Sequence, residues 1–458
     1  MRNWLALSAV IFIAFVWYPV ERAFSEFCFN NYDLGIYAQA LNLLSLKNLN
    51  PWLSSREVFL FNDHFDPILL VAAPLRYLTH PATAAIRVEM VAALVAACAP
   101  VWMARQKLIR IELAMLSALT LLFSPMTLDA LYFPAHPGTW AMAPLAWMLA
   151  FLTASRFGRA FGMLLILMAC KEEFPVVGFI TGIVLTGFRV RRYGALFVTV
   201  SALWALFVFK IRPIILGPSD MYTSAVASAQ GVTQLTSWAD LAPVLKRLVY
   251  IAAPGALTWI LWGRQRIADR RLFYLVVYPL AAMIAIRFLG GYWGNHRSAS
   301  LAVMAAFLPL ALAGNRPLPT LGYRPALWVC LLVLLAQPLD AGSRWIRGVP
   351  FKKHCPADPG RLSAIHEAVS AIRDSGSQSV LAQGNLVPAL ADLSQVAQIG
   401  ATTTKRFDWI ITEKADYRNT WPLSGELYEE QVRGWRALSG ARVVIDNDHV
   451  TLLRLEEN

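Results

Sequence analysis

Three ionisable side chains fall within four positions in the segment Asn62-Asp63-His64-Phe65-Asp66-Pro67. Asp66 has an ordinary structural explanation, because an aspartate followed by a proline at the first helical position is a good helix N-cap. Asp63 and His64 are not needed for that cap. A carboxylate and an imidazole can hold a divalent cation or help to hold a phosphate, although two ligands alone do not define a metal site.

A second candidate is Asp33, at the start of a run from Tyr32 to Leu46 whose apolar residues have helical spacing. This spacing predicts a helix that lies along the membrane surface. A carboxylate in the first turn stabilises a helix by about 0.3–1 kcal/mol, and the local pattern alone favours this structural role. At the lip of an apolar cavity the same carboxylate can act as a general base toward a substrate hydroxyl.

The charged triplet Lys171-Glu172-Glu173 separates two apolar segments, 160–170 and 174–188. Both segments are shorter than the roughly 20 residues that a bilayer requires. Three charges cannot face lipid. Either the triplet is the tip of a helical hairpin in a water-filled or protein-lined cavity that opens outward, or its charges pair within the helix bundle.

Further polar groups occur in two turns, around His136 and at His296-Arg297. A single histidine in a turn is usually structural. Arg297 and His296 could bind an anionic group, the arginine through its planar fork and the histidine as a pH-dependent donor. The alternative is headgroup contact at the membrane interface, for which the preceding Tyr292 and Trp293 are suited.

The composition requires a membrane around these groups. Of the 458 residues, 57% are hydrophobic and 15% are charged, and the mean hydropathy is +0.49. A soluble globule would lack the polar surface to cover itself. The net charge of +12 does not indicate a nucleic-acid partner, because the basic residues lie mainly in short loops between apolar runs rather than in one patch.

The apolar runs predict an all-α polytopic protein with about eleven transmembrane helices, the first of them retained because no small-residue cleavage site follows it. The expected spans are 3–20, 82–104, 111–128, 139–155, 160–170, 174–188, 194–216, 247–263, 272–289, 299–314 and 324–341. One orientation explains nearly every basic loop, for example the loop with Arg105, Lys107 and Arg110. The positive-inside rule then places the N-terminus in the cytoplasm and the C-terminus on the extracytoplasmic side of the membrane.

Two domains are expected, a transmembrane domain over 1–341 with a long first outer loop (21–80), and an extracytoplasmic α/β domain over 342–458. In the latter, helical patterns (362–373, 425–437) alternate with strand patterns (379–383, 409–412), and a hairpin is predicted over 442–445 and 450–455. It carries no phosphate loop or metal signature, which favours a lid or docking role. Cys28 and Cys355 could both lie outside and pair, although such isolated cysteines are more often free thiols.

Four motifs together resemble a known family. They run from Tyr32 to Ala40, from Asp63 to Leu70 with Ala73-Pro74-Leu75 after it, over His136-Pro137, and over Lys171-Glu172-Glu173. The chain is similar, over nearly its whole length, to an uncharacterised family of polytopic bacterial membrane proteins that is catalogued as a domain of unknown function. The resemblance implies the GT-C class of membrane glycosyltransferases, which use polyprenyl-phosphate-linked sugars as donors.

The resemblance also implies roles for individual residues. In the GT-C class the catalytic carboxylate lies in the first outer loop, and Asp33 matches that position. A second acidic or histidine-containing site is matched more loosely by His64, Asp66 and His136. Where members carry paired acidic residues for a metal, this chain has Asp63, His64 and Asp66, so a divalent cation is a candidate cofactor.

The leading hypothesis is an inverting transfer of a sugar from a polyprenyl phosphate to a hydroxyl acceptor on the outer face of a bacterial inner membrane. The expected partners are the polyprenyl-phosphate-linked sugar, membrane lipid and an acceptor that the sequence does not identify. Asp33 would deprotonate the acceptor, and His296 with Arg297, or Lys171, would compensate the charge on the leaving phosphate. The pocket would be shaped by Glu172, Glu173, His64 and His136. The alternatives are a lipid or small-solute transporter or flippase, with the charged triplet as a relay, and a noncatalytic cell-envelope scaffold.

Overall fold

The computed structural model describes residues 2–29, 32–217, 248–253, 270–289, 298–313, 358–400, 407–414, 423–438 and 440–455. The expected span 324–341, most of the span 247–263, and the candidate residues His296, Arg297 and Cys355 lie outside these ranges. Within them the chain is mostly helical, with a sheet near the C-terminus.

The N-terminal part of the chain forms a broken helix followed by short elements of the first outer loop. The elements are α1 (Arg2–Phe12), α2 (Tyr18–Ser25), α3 (Tyr32–Leu43), β1 (Trp52–Leu53), β2 (Val58–Phe59), α4 (Leu60–Asp63) and α5 (Leu69–Ala72). A π-helical turn, Ile13–Trp17, joins α1 to α2. The predicted helix after Tyr32 is therefore confirmed. It is not a surface helix, however, because its residues from 34 to 41 are all buried in the protein.

The apolar bundle follows the outer loop. Its helices are α6 (Pro81–Arg105), α7 (Ile111–Phe123), α8 (Pro125–Leu131), α9 (Pro137–Trp140), α10 (Met142–Thr153), α11 (Phe157–Cys170), α12 (Pro175–Gly187), α13 (Arg191–Leu206), α14 (Arg212–Leu216), α15 (Arg270–Leu289) and α16 (Ala299–Ala313). Prolines begin several of them. Ser124, for example, caps α8 by accepting a hydrogen bond from the Thr127 amide at 3.2 Å, which satisfies a donor that the helix leaves open.

Among the described residues, four helical stretches are long and apolar enough to cross a bilayer by length and composition. They are Ala6–Ser25, Pro81–Arg105, Ile111–Leu131 and Arg191–Leu216. Three shorter apolar helices, α11, α12 and α16, lie beside them. The chain is therefore a multi-span membrane protein, as predicted. The number of about eleven crossings stays a prediction.

Three basic connections of the bundle lie at one end. Arg156, between α10 and α11, donates to Gln106 Oε1 at 3.1 Å, just beyond the end of α6. Arg271, at the start of α15, donates to the Thr153 carbonyl at 3.2 Å. The loops that the sequence placed on one side of the membrane therefore touch each other.

The C-terminal region is a sheet between two helices. It contains α17 (Pro359–Asp374), β3 (Ser379–Ala382), β4 (Gln395–Gln398), β5 (Trp409–Glu413), α18 (Gly425–Arg436), β6 (Ala441–Asp446) and β7 (Val450–Leu455). The strand order is β4-β3-β5-β7-β6. The first three strands are parallel, and β7 is antiparallel to both of its neighbours. The predicted strands, hairpin and helices are present, and β4 was not predicted.

The sheet region docks on the outer loop through α3. Ser54 Oγ, which accepts a hydrogen bond from Gln39 at 2.7 Å, is also bonded to the backbone of Val396 in β4. Asn42 donates to the Asp392 carbonyl at 2.7 Å. The approach is closest at Gly35, where a Cβ atom would stand 2.6 Å from Val387 Cγ1. A glycine is therefore needed at this point of α3.

A buried ion pair makes the second contact between the two regions. Arg361 and Glu413 are both fully buried and lie 2.9 Å apart. Arg361 also donates to the carbonyls of Glu26 and Phe27 at 3.0 and 3.3 Å. The neighbouring Cys28 is disulfide-bonded, so the expectation of a free thiol is wrong for this residue. Cys98 and Cys170 are free.

The docking at Gly35 yields a stability prediction. Replacing Gly35 by Ala should destabilise the protein by about 1–3 kcal/mol, because the new methyl group overpacks against a stiff valine. Adding Val387→Ala should remove most of this cost. The matched control is Gly162→Ala in α11, where nothing lies within 4 Å of the added atom. The thermal unfolding midpoint is measured in detergent for the wild type, the two single glycine variants and the double variant. Equal effects of the two single glycine substitutions would contradict the close contact.

Candidate functional site

The first outer helix presents two polar side chains to the bundle. Asp33 and Tyr37 are four positions apart in α3 and so share a helix face. The imidazole Nε2 of His136 lies 3.1 Å from Asp33 Oδ2, and the Tyr37 hydroxyl donates to Asp66 Oδ2 at 3.1 Å. The Tyr37 and His136 rings also meet edge to face. Groups from three separate parts of the chain therefore converge at the start of α3.

The turn that carries His136 is hydrogen-bonded to Glu89, a buried residue of α6. Glu89 Oε2 accepts hydrogen bonds from the Ala135 and His136 amides at 2.5 and 3.2 Å. Ala135 has a φ of 74°, a left-handed conformation that is unfavourable for alanine and that these contacts maintain. Phe133 stacks on the imidazole. These contacts fix the position of the histidine.

The two side chains of the Asp33–His136 pair differ in solvent exposure. The Asp33 side chain is 37% exposed, whereas His136 is 3% exposed. Burial favours the neutral carboxyl, but the hydrogen bond and positive charge of His136, with charge from His64 and Lys171, outweigh it and lower the pKa of Asp33. Burial also lowers the pKa of His136, against the opposing effect of Asp33 and of the Phe133 carbonyl. Asp33 is consequently a carboxylate near neutral pH.

A second group of charges surrounds the turn between α11 and α12. His64 Nδ1 lies 3.0 Å from Glu172 Oε1. The Lys171 ammonium lies 3.4 Å from that same nitrogen, 3.8 Å from Asp66 Oδ2 and 3.9 Å from Glu172 Oε1. Lys171 is 10% exposed at its side chain and Asp66 is fully buried. Of the two arrangements expected for the triplet, the structure has Lys171 and Glu172 paired inside the protein.

Burial and neighbouring charges shift the pKa values of the two carboxyl groups in this cluster in opposite directions. For Glu172 burial opposes ionisation, but Lys171 and His64 outweigh it, and the pKa is well below its usual range. For Asp66 burial outweighs Lys171, and the neighbouring Glu172 adds to it, which raises the pKa to about 7. The expected N-cap role of Asp66 is wrong, since the cap position of α5 is Ile68 and makes no side-chain bond, while Asp66 turns inward to Tyr37.

Asp63 does not take part in this group. Its two carboxylate oxygens accept hydrogen bonds from Arg56 at 3.0 and 3.2 Å. Of the described residues that could hold a metal ion, one set of three stands together, and it consists of His64, Asp66 and Glu172, with ligand atoms within 4.8 Å of one another. Glu172 therefore takes the place in this set that the sequence motif suggested for Asp63. Glu173 accepts the Val176 amide through its carbonyl at 3.3 Å, in the turn that begins α12.

Two residues of the site were not singled out from the sequence. Tyr37 lies inside a quoted motif, but an isolated tyrosine carries no chemical signal. Glu89 could have been found, because it is the one acidic residue in the 25 residues of α6. An ionisable residue within an apolar helix is by itself an indication of a functional or structural site.

These features define a class of protein, a helical multi-span membrane protein in which the first outer loop and a short helical hairpin enclose buried charges. The family described as Predicted membrane protein (DUF2079) matches residues 24–249. This match identifies that part of the chain, close to half of its length, as a member of a membrane protein family of unknown function. No curated protein matches the chain.

The Lys171 cluster yields a pH prediction. Lys171→Met removes the ammonium that offsets burial of Asp66, so the folded-state pKa of Asp66 rises further above its unfolded value. A carboxyl whose folded pKa is raised makes the protein less stable as pH rises through that pKa, because the native state then binds more protons than the unfolded state.

In buffer with a metal chelator, Lys171→Met should therefore cost clearly more stability at pH 9 than at pH 6. The buried Glu172 carboxylate loses its counter-charge at both pH values, whereas ionised Asp66 adds its share only at pH 9, where the total should reach about 3–5 kcal/mol, the usual cost of leaving a buried charge without its partner. Chemical denaturation in detergent at both pH values measures this. Lys47→Met, at an exposed position, is the control. A pH-independent cost would show that Lys171 does not compensate Asp66.

Proposed function

We propose that this protein transfers a sugar from a polyprenyl-phosphate donor to a hydroxyl acceptor on the extracytoplasmic face of the membrane. The observation that carries the proposal is that Asp33 is an ionised and partly exposed carboxylate. Its carboxylate is partly exposed while the groups that hold it ionised are buried. A carboxylate held in this way can receive a proton from a bound hydroxyl.

The reaction would proceed by direct displacement. The acceptor hydroxyl oxygen forms a bond to the anomeric carbon of the sugar while the bond from that carbon to the phosphate oxygen breaks. The hydroxyl proton passes to Asp33, and the bonding electron pair leaves with the polyprenyl phosphate. Attack from the face opposite the phosphate inverts the anomeric configuration.

The leaving phosphate needs positive charge nearby. Lys171 supports this role, because its ammonium belongs to the same group of contacts, joined to α3 through Asp66 and Tyr37. A preorganised cation stabilises developing negative charge without reorganisation of solvent. His296 and Arg297 remain candidates for the same role. His64, Glu172 and Glu173 would orient the lysine and shape the pocket, and His136 would orient Asp33.

Two observations support the extracytoplasmic side. Cys28 forms a disulfide, and disulfides are typical of compartments outside the cytoplasm. The site also lies at the end of the bundle away from the basic loops. Glu89, beneath the site, precedes Arg105 by sixteen positions of α6, about 24 Å at 1.5 Å per residue. By the positive-inside rule the basic end would be cytoplasmic, as would the N-terminus.

Asp33→Asn tests the proposal directly. It should lower sugar transfer by about 10²–10⁴-fold, because the base is lost, while donor binding remains. The assay follows release of polyprenyl phosphate from a panel of polyprenyl-phosphate-linked sugars by the protein in lipid nanodiscs. Asp392→Asn is a matched control, since Asp392 forms a second Asp–His pair, 3.5 Å from His80, outside the cluster.

Full activity of Asp33→Asn would remove Asp33 from the mechanism. Absence of turnover in the wild-type protein together with lipid or solute movement across a vesicle membrane would instead favour a transporter. Indifference of every readout to the substitution would favour a scaffold.

His136→Phe tests the positioning of the base. The substitution removes the hydrogen bond and charge that lower the pKa of Asp33, so this pKa should rise. Since protonated Asp33 cannot accept a proton, the acid limb of kcat/KM should move to higher pH. Tyr37→Phe leaves the Asp33–His136 contact in place and should leave the position of that limb unchanged. Identical limbs in wild type and His136→Phe would contradict the pairing.

A further inference from the structure

We infer that His64, Asp66 and Glu172 form a binding site for one divalent transition-metal ion. The three side chains come from two parts of the chain, with His64 and Glu172 separated by 108 positions. Each offers one ligand atom, and the three atoms lie within 4.8 Å of one another. His64 Nδ1 and Glu172 Oε1 are 3.0 Å apart, close to the separation of two ligands at right angles around an ion with bonds of about 2.1 Å.

A second observation points to a ligand independently of this grouping. Asp66 is fully buried, and its Oδ1 atom makes no hydrogen bond within the described part of the chain. The same holds for the buried Oε2 atom of Glu172. Buried carboxylate oxygens are nearly always paired, and a bound ion is one of the few partners that accounts for two of them at one place.

The balance of charge favours a cation. Asp66 and Glu172 are two buried carboxyl groups that share one ammonium, that of Lys171. Burying an excess of negative charge is expensive unless it is compensated. The Lys171 nitrogen lies 3.4–3.9 Å from His64 Nδ1, Asp66 Oδ2 and Glu172 Oε1, beyond the 2.7–3.2 Å of a good hydrogen bond. The lysine therefore lies beside this ligand set and leaves it able to bind an ion.

The donor set selects the kind of ion. One imidazole nitrogen with two carboxylate oxygens suits Mn²⁺ or Zn²⁺ better than Mg²⁺ or Ca²⁺, which prefer oxygen alone. Tyr37 supports the set from outside, since its hydroxyl donates to Asp66 Oδ2. Metal ligands are commonly oriented by such a hydrogen bond. The inference concerns binding and does not depend on the proposed sugar transfer.

Direct titration tests the site. The full-length protein in nanodiscs is stripped with chelator and titrated with MnCl₂, and free Mn²⁺ is followed by electron paramagnetic resonance. ZnCl₂ is tested separately by elemental analysis after gel filtration. One ion should bind per chain. Asp66→Asn and Glu172→Gln should each weaken binding at least tenfold, whereas Asp63→Asn, whose carboxylate is held by Arg56, should bind as the wild type does.

Lys171→Met is a control that separates loss of the metal site from general misfolding. Removing a like charge beside the ion should tighten binding, a gain that damage to the structure would not produce. Asp33→Asn should keep its metal while losing transfer, so failure of the proposed reaction and failure of the metal site can be told apart. The inference is overturned if the wild type binds neither ion at millimolar concentration, or if Asp66→Asn and Glu172→Gln bind as tightly as Asp63→Asn.

Discussion

Compensation of buried charge is the constraint on which the rest of this structure depends. Asp66, Lys171 and the backbone-bound Glu89 are all buried among apolar helices, where an isolated charge would cost more than the fold can supply. Each is held by a group from a distant part of the chain. The first outer loop, the turn before α9 and the α11–α12 hairpin are therefore locked together by electrostatics, and their relative positions follow from which charges can neutralise one another.

Helix α3 links this charged cluster to the sheet region. One side of the helix presents Asp33 and Tyr37 to the bundle, and the other receives Val387 at Gly35. Because packed interfaces resist gradual deformation, a shift of the sheet region would move the first turn of α3 with it. The docking role suggested by the sequence thus corresponds to packing of the sheet region against α3, the helix that carries the candidate base.

Elements with local signals could be predicted from the sequence, and pairings between distant residues could not. Apolar length and period marked the bundle helices, α3 and the β6–β7 hairpin. Residue types marked His64, Asp66 and Lys171 as polar groups near span ends. The choice between Asp63 and Glu172 had no local signal, because it depends on Arg56 reaching Asp63 and on a contact across 108 positions. Strand β4 was missed since its four residues include two glutamines and show no apolar run.

The position of the cluster along the helices bears on the choice between transfer and transport. Lys171 follows the last residue of α11, fifteen positions after Arg156, and Glu89 lies in the first half of α6. Arg156 in turn contacts the loop that ends α6. In both helices the cluster therefore lies about 22–24 Å, at 1.5 Å per residue, from the end that carries Arg105 or Arg156. A transport site is reached from both sides and is typically near the middle of the bilayer, whereas a transferase that uses a lipid phosphate must meet its donor at the level of the headgroups. At 22–24 Å from the basic end of a hydrocarbon core about 30 Å thick, the cluster lies beyond the midplane and closer to the opposite headgroups. This position is nearer to the second requirement, and it is why we favour sugar transfer.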